Sequence, residues 1–192
     1  MSVSYLTERG IKESFLRFLN ERPLDKISVK DIAEDCRISR KTFYNHFEGI
    51  DHLLEVIFRE ETEKALERDT RASYWLDSFL EMAGFILSNP AALRNIYDSH
   101  MHRFVKDYLY RLCARALDRY ARLGIGQAPY LEEDLGVLTS FYAHGVSGIV
   151  SDWVRDGMQW ELEPSLRRLG DLLRGSLMDA LLHHAPGDTH TK

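Results

Sequence analysis

Two helix starts eleven residues apart are the strongest constraint on how this chain can fold. In Ser28 to Phe47, SVKDIAEDCRISRKTFYNHF, Ser28 is placed to N-cap one helix with Asp31 three residues on, and that carboxylate suits the positive helix end. Ile27 and Ile32 fall at the N′ and N4 positions of a hydrophobic staple. Ser39 opens a second helix in the same way, with Ile38 and Phe43 as its staple. The spacing leaves room only for a helix, a turn and a helix. Ala33 is small where the helices must cross, and Val29, Ile32, Ile38, Phe43 and Phe47 supply one shared buried side. The pattern is a helix-turn-helix.

A negative chain is an unexpected home for such a unit. The net charge is −5, yet residues 1–50 hold nine Lys/Arg against eight Asp/Glu, so the acid sits mostly elsewhere. From Cys36 to Phe47 there are Arg37, Arg40, Lys41 and His46 and no carboxylate. Screening limits the reach of charge to about 10 Å at 0.1 M salt, so this local face matters more for phosphate contact than the total. At 192 residues and 44% apolar content the chain can bury a real core. No apolar run is long enough to span a membrane and MSVSYLTERG lacks a signal-peptide core, so a cytoplasmic protein is expected. Cys36 and Cys113 have no metal spacing and read as small packed hydrophobes.

The rest of the chain reads as helices. Residues 5–21 place Ile11, Phe15 and Phe18 on one side and end at Arg22-Pro23. Ile50, Leu53, Leu54, Ile57 and Phe58 begin a long helix whose charged second half runs to Arg68. From Thr70, Trp75, Phe79, Met82 and Ile86 make one stripe and Leu76, Leu80, Ala83 and Leu87 another. Asn89-Pro90 offers an N-cap and N1 pair for a short helix to about Ser99. A helix from Met101 to Leu123 turns Val105, Leu109, Leu112, Ala116 and Tyr120 inward and breaks at Gly124 to Pro129. Between Tyr130 and Asp156 an apolar stripe of Leu135, Leu138, Tyr142, Val146, Ile149 and Trp153 runs beside small residues Gly136, Ser140, Ala143, Ser147 and Ser151. A final helix from Pro164 to His184 repeats Leu166, Leu169, Leu173, Leu177 and Leu181. These last two helices suit either an intrachain core or a four-helix dimer interface. With no strand alternation the fold class is all-α, about nine helices.

The segment IKESFLRFLNERPLDKISVKDIAEDCRISRKTFYNHFEGIDHLLEVIF, residues 11–58, resembles the tetracycline-repressor (TetR) family of bacterial transcription regulators, with TFYNHF and the following Leu-rich helix as its most specific part. FYAHGVSGIVSDWVRDGM is similar to the C-terminal domain of a subgroup that includes dihydroxyacetone-kinase operon activators. The resemblance implies a homodimer formed through the two C-terminal helices, two recognition helices in successive major grooves of a near-palindromic operator, and a small-molecule pocket. It tips the last two helices toward a dimer interface of Leu138, Tyr142, Val146, Ile149, Trp153, Leu166, Leu169, Leu173 and Leu177. The expected division is a helix-turn-helix DNA-binding domain at 1–48, a helical ligand-binding and dimerisation domain at 49–184 and a flexible tail at 185–192. Three positions depart from the family pattern. Arg37 stands where the turn usually has glycine or another small residue, and Glu48 and Ile50 stand where many members carry lysine.

With Phe43 and Phe47 inward, 100° per residue puts Lys41 and Asn45 on the opposite face, flanked by Thr42 and Tyr44. Lys41 suits guanine, Asn45 adenine and the Thr42 methyl thymine. Tyr44 and His46 match family positions at backbone or bases, Arg40 lies at the edge, and Ser39, Lys30 and Arg37 stand where phosphate contacts are available. Trp75, Phe79, Met82, Phe85, Phe104, Tyr108, Tyr142 and His144 are the candidate lining of an effector pocket, against the plainer reading that they are core. His100-x-His102 supplies too few ligands for a metal, no cofactor is expected, and His183-His184 reads as solvated. No nucleophile elbow, phosphate loop or HExxH points to an enzyme. The expectation is a DNA-binding regulator, a repressor in its simplest form; the alternatives are a ligand-independent regulator and an interaction adaptor that no longer binds DNA.

Overall fold

The helical periods are realised as ten α-helices and one 3-10 turn, with no strand among the described residues. They are α1 (Val3–Glu21), the 3-10 turn Leu24–Lys26, α2 (Val29–Asp35), α3 (Arg40–Tyr44), α4 (Ile50–Arg68), α5 (Trp75–Leu87), α6 (Pro90–Tyr97), α7 (His102–Ile125), α8 (Glu132–Arg155), α9 (Leu162–Leu172) and α10 (Ser176–His183). The structure is a computed structural model that describes residues 3–68, 74–173 and 175–183. The expected tail at 185–192 and His184 lie outside the described residues; His183 is exposed. The helices form two units, Met1–Arg68 with Gly84–Val105 and Asp69–Ala83 with Lys106–Lys192.

In the first unit α1 buries Ile11, Phe15 and Leu19, an i, i+4, i+8 line. Phe18, expected on that line, is half-buried, with the Arg17 and Arg22 guanidiniums 5.4 and 4.4 Å from its ring. The 3-10 turn, not expected from the sequence, sinks Leu24 to 1% exposure and delivers Ile27 to the start of α2. Helix α4 buries Leu53, Leu54, Ile57 and Phe58, and Lys12 of α1 reaches Glu60 of α4 at 2.6 Å. Helix α6 packs on α1, where the Asn95 amide donates to the Leu19 carbonyl at 2.8 Å. Asn89 sits at the N-cap of α6 ahead of Pro90 but does not cap it. Its amide turns back and donates to Phe85 O at 2.7 Å, closing the end of α5 instead.

The second unit is built on α7 from Lys106 onward, α8, α9 and α10 with the start of α5. Trp75, Leu76, Phe79, Met82 and Ala83 are all buried, in line with a helix covered on two sides. On α7, Val105, Leu109, Leu112, Cys113, Ala116 and Leu117 are buried, while Tyr120 is half-buried and edge-on to Tyr74 at 5.7 Å. The expected apolar stripe of α8 is rotated. Leu135, Val146 and Trp153 are buried, but Leu138, Tyr142 and Ile149 are half-buried and Thr139, Ala143, Ser147, Val150, Ser151 and Val154 complete the inner face. Hydroxyls can lie there because they bond their own helix: Thr139 to Leu135 O at 2.8 Å and Ser151 to Ser147 O at 2.8 Å. The expected single helix from Pro164 to His184 is two helices. Gly175, at φ +85°, stands between α9 and α10, a conformation that glycine adopts at least cost.

Candidate nucleic-acid interface

Both cap signals are present as geometry. The Ser28 hydroxyl accepts from Asp31 N at 3.2 Å while the Asp31 carboxylate accepts from Ser28 N at 2.9 Å, a complete capping box. These bonds hold the Asp31 carboxyl below its ordinary range, the Ser28 hydroxyl contributing most. Ser39 accepts from Thr42 N at 3.0 Å, and the two hydroxyls lie 2.9 Å apart. Between the helices the turn closes through Cys36 N to Ile32 O and Ile38 N to Ala33 O, both 2.9 Å. Cys36 is half-buried and its thiol, pushed up chiefly by burial, donates to Gly10 O at 3.4 Å.

Arg37 is the strained point of this turn. Its φ is +54°, the left-handed region that the family pattern fills with a small residue. Arg37→Gly is expected to stabilise the protein by about 0.5–1 kcal/mol, since glycine removes the Cβ clash but adds freedom to the unfolded chain. Urea unfolding would show a raised midpoint at unchanged slope.

Regular helix α3 ends at Tyr44, shorter than the expected span to Phe47, but Asn45 N to Lys41 O and Phe47 N to Phe43 O, both 3.0 Å, carry helical bonding one turn further. The register inferred from sequence therefore holds. Phe43 and Phe47 are buried with ring centroids 5.8 Å apart. Lys30, Ser39, Arg40, Lys41, Tyr44 and Asn45 are exposed, and Thr42 and His46 are half-buried. Of the expected shared buried side, Val29 and Ile38 are only half-buried.

The cations on this face stand free of carboxylates among the described residues, as Lys26 and Arg59 of the same unit also do. Arg9, Lys12, Arg17, Arg22 and Lys30 of the same unit each pair with a carboxylate. Arg37, Arg40 and Lys41 are exposed and pair with no carboxylate among the described residues. Lys12 contributes from below: its ammonium bridges Glu8 and Glu60 and lies 5.8 Å from the centre of the Phe47 ring. That positioning role has no sequence signal, because its partner lies 48 residues away.

The other expected site residues are dispersed. Phe85 and Phe104 belong to the first unit, where their rings lie 6.2 and 5.5 Å from Phe58. Trp75, Phe79, Met82 and Tyr108 are buried in the second unit, and Tyr142 is tied to Ser176 by a 2.6 Å hydroxyl contact. His144 is exposed; with Lys106, Asp107, Tyr110, Ser147 and Gly148 it lines an open groove of about 500 Å³ between α7 and α8. The Tyr110 and His144 rings lie 4.6 Å apart. Of the expected interface residues, Val146, Trp153, Leu166 and Leu177 are buried within the unit, while Leu138, Tyr142, Ile149, Leu169 and Leu173 are half-buried. The exposed large apolar residues of these helices are Val137, Phe141, Leu172 and Leu182, which the sequence reading passed over. His102 Nδ1 faces Tyr97 O at 2.9 Å while His100 faces two carboxylates, so this pair serves two different contacts.

A capped helix-turn-helix with an unpaired basic face, followed by a larger helical region, defines a DNA-binding transcriptional regulator. The family model for bacterial regulatory proteins, tetR family, matches residues 16–57, and that for a transcriptional regulator C-terminal region matches residues 73–175. The chain belongs to the tetR family of bacterial transcription regulators and is not an enzyme. The HTH-type dhaKLM operon transcriptional activator DhaS of Lactococcus lactis subsp. lactis (strain IL1403) is 26% identical over 97 residues, 50% of this chain. The match spans 52% of that relative, about half its length. In structure the chain is similar to the dihydroxyacetone kinase operon activator DhaS, with a TM-score of 0.71 at 18% identity over 95% of this chain and 99% of that one, a likeness of fold. No described helix is long and apolar enough to cross a membrane.

Proposed function

We propose that this regulator binds a near-palindromic operator as a homodimer, each copy laying α3 in a major groove. The reading unit would be residues 1–48, with 49–184 as the effector-binding and dimerisation region. Lys41 and Asn45 would face the bases, with Thr42 and Tyr44 beside them, and Arg37, Arg40, His46 and Lys30 would meet the backbone or the groove edge, Ser39 remaining committed to its cap. The observation that carries this reading is the set of cations at 37, 40 and 41 left exposed without carboxylate partners among the described residues, while Arg17, Arg22 and Lys30 nearby have them. Solvated, unpaired cations are ready to displace counterions from DNA.

Dimerisation is supported by the outer face of α8. Val137 and Phe141 are 64% and 73% exposed, and a Cβ built on Gly136, Gly145 or Gly148 would meet nothing within 4 Å. Leu172 and Leu182 extend apolar surface onto α9 and α10. A second copy could approach this face closely, so the interface moves from the buried stripe to these residues. The effector would be a small polar molecule, supported by the groove of Lys106, Tyr110 and His144. Repression is the simplest output of a protein occupying an operator; the half-length likeness to an operon activator supports activation as the second reading.

The test is binding to DNA adjoining the protein's own gene. Asn45→Ala should cost about 1–3 kcal/mol on the specific site and relax discrimination at one base pair, while random duplex is bound as before. The logarithm of affinity should fall with log salt by about 0.9 per phosphate neutralised. Equal loss on both duplexes, or a flat salt response, would remove the assignment.

A further inference from the structure

His100, in the connection between α6 and α7, has a carboxylate on each ring nitrogen. Nδ1 lies 2.7 Å from Asp25 Oδ1, and Nε2 lies 3.0 Å from both oxygens of Asp51. Asp25 stands in the 3-10 turn just before α2, and Asp51 in the first turn of α4 just after the helix-turn-helix. One imidazole thus touches both ends of the segment that carries the reading face. A neutral imidazole has one N–H and one lone pair, so it can serve only one of these carboxylates and repels the other; the imidazolium donates to both.

We infer that His100 is a proton-operated clasp, holding both ends of the helix-turn-helix to the α6–α7 connection when charged and releasing one end when neutral. The release is a proton transfer to solvent with no other chemistry. The inference deepens the DNA-binding reading and rests on it for its consequence, a reading head that is better ordered in mildly acidic solution.

The charges around the clasp are otherwise engaged. On its own segment Asp98 faces Arg94 at 3.5 Å, His102 bonds Tyr97 O, and Arg103 has its own interactions. Lys26 neighbours Asp25 in the 3-10 turn. At the start of α4, Glu48 N donates to His52 Nδ1 at 3.1 Å, and Glu55 lies one turn on. His100 bonds no described group besides Asp25 and Asp51. The two aspartates, Asp25 foremost, raise the His100 pKa above its ordinary 6.5. A raised folded pKa places the stabilisation fully below 6.5 and removes it as pH climbs through the folded value. The three side chains are 50–57% exposed, so the effect is screened by salt and belongs to low ionic strength.

The experiment is an NMR titration of the histidine rings in the full chain, His100 being assigned by the signal lost in His100→Asn. His100 should titrate above 6.5, and Asp25→Asn or Asp51→Asn should each bring it back toward 6.5. The melting temperature should fall between about pH 6 and 8.5, and His100→Asn should flatten that fall. Titration at or below 6.5, no response to either aspartate variant, or an unchanged melting profile in His100→Asn would overturn the clasp. Random-sequence duplex is the second probe. Its binding should weaken over the same pH range more in the wild type than in His100→Asn. Identical profiles would overturn the link to the reading head. No duplex binding at any pH, with His100 still titrating high, would sink the DNA reading and leave the clasp standing.

Discussion

Phe43→Ala is expected to remove about 3–5 kcal/mol of stability, because the ring is fully buried and the small head has no spare atoms to refill the space. Its neighbours are aromatic: Tyr44 edge-on at 5.7 Å and Phe47 at 5.8 Å. Whole domains are stable by only about 5–15 kcal/mol, so a loss of this size opens the helix-turn-helix first. Hydrogen exchange would read it directly. Amides of 28–47 should lose roughly two to four decades of protection, at about 1.4 kcal/mol per decade. Tyr44→Ala is the contrast: that ring is 56% exposed, so its removal should change folding stability little and act on DNA binding instead. If Phe43→Ala left protection across 28–47 unchanged, the packing account of the head would be wrong.

Phe141→Glu is expected to convert a dimer to a monomer without unfolding either copy. The side chain is 73% exposed within the chain, so folding should shift by no more than about 0.5 kcal/mol. In a dimer built on the outer face of α8 the same carboxylate would be buried opposite apolar surface, without a partner. Sedimentation analysis reads the mass, and circular dichroism confirms the helices. Operator binding should fall by about 10²–10⁴, because two linked heads lose the effective concentration that the second one enjoyed. A variant that stayed dimeric would move the interface elsewhere, and a monomer with undiminished operator affinity would remove the need for two heads.

The two expectations differ in how they can be reached. Ser28, Asp31, Ser39, Phe43 and Phe47 declare their roles locally, since caps and staples act within four residues and helical period alone decides which ring faces in. Their hydrogen bonds, burial and register follow the sequence reading closely. The face of α8 was not legible in the same way. Leu138 and Ile149 look more apolar than Thr139 and Ser151, yet the hydroxyls lie inside because each satisfies itself on its own helix. Hydrophobicity ranks residues one at a time, whereas burial is decided by which neighbour arrives.

The sequence by itself determined an all-α chain with a capped helix-turn-helix and a basic stretch free of carboxylates from Cys36 to Phe47, because caps, staples and helical period rest on contacts within a few residues. Arg37 stood out only through the family resemblance. Only the tertiary structure decided which basic side chains stay unpaired, which side of α8 faces out, and that His100 sits between Asp25 and Asp51. Those partners lie 75 and 49 residues from it, and no local rule of chain geometry reaches that far.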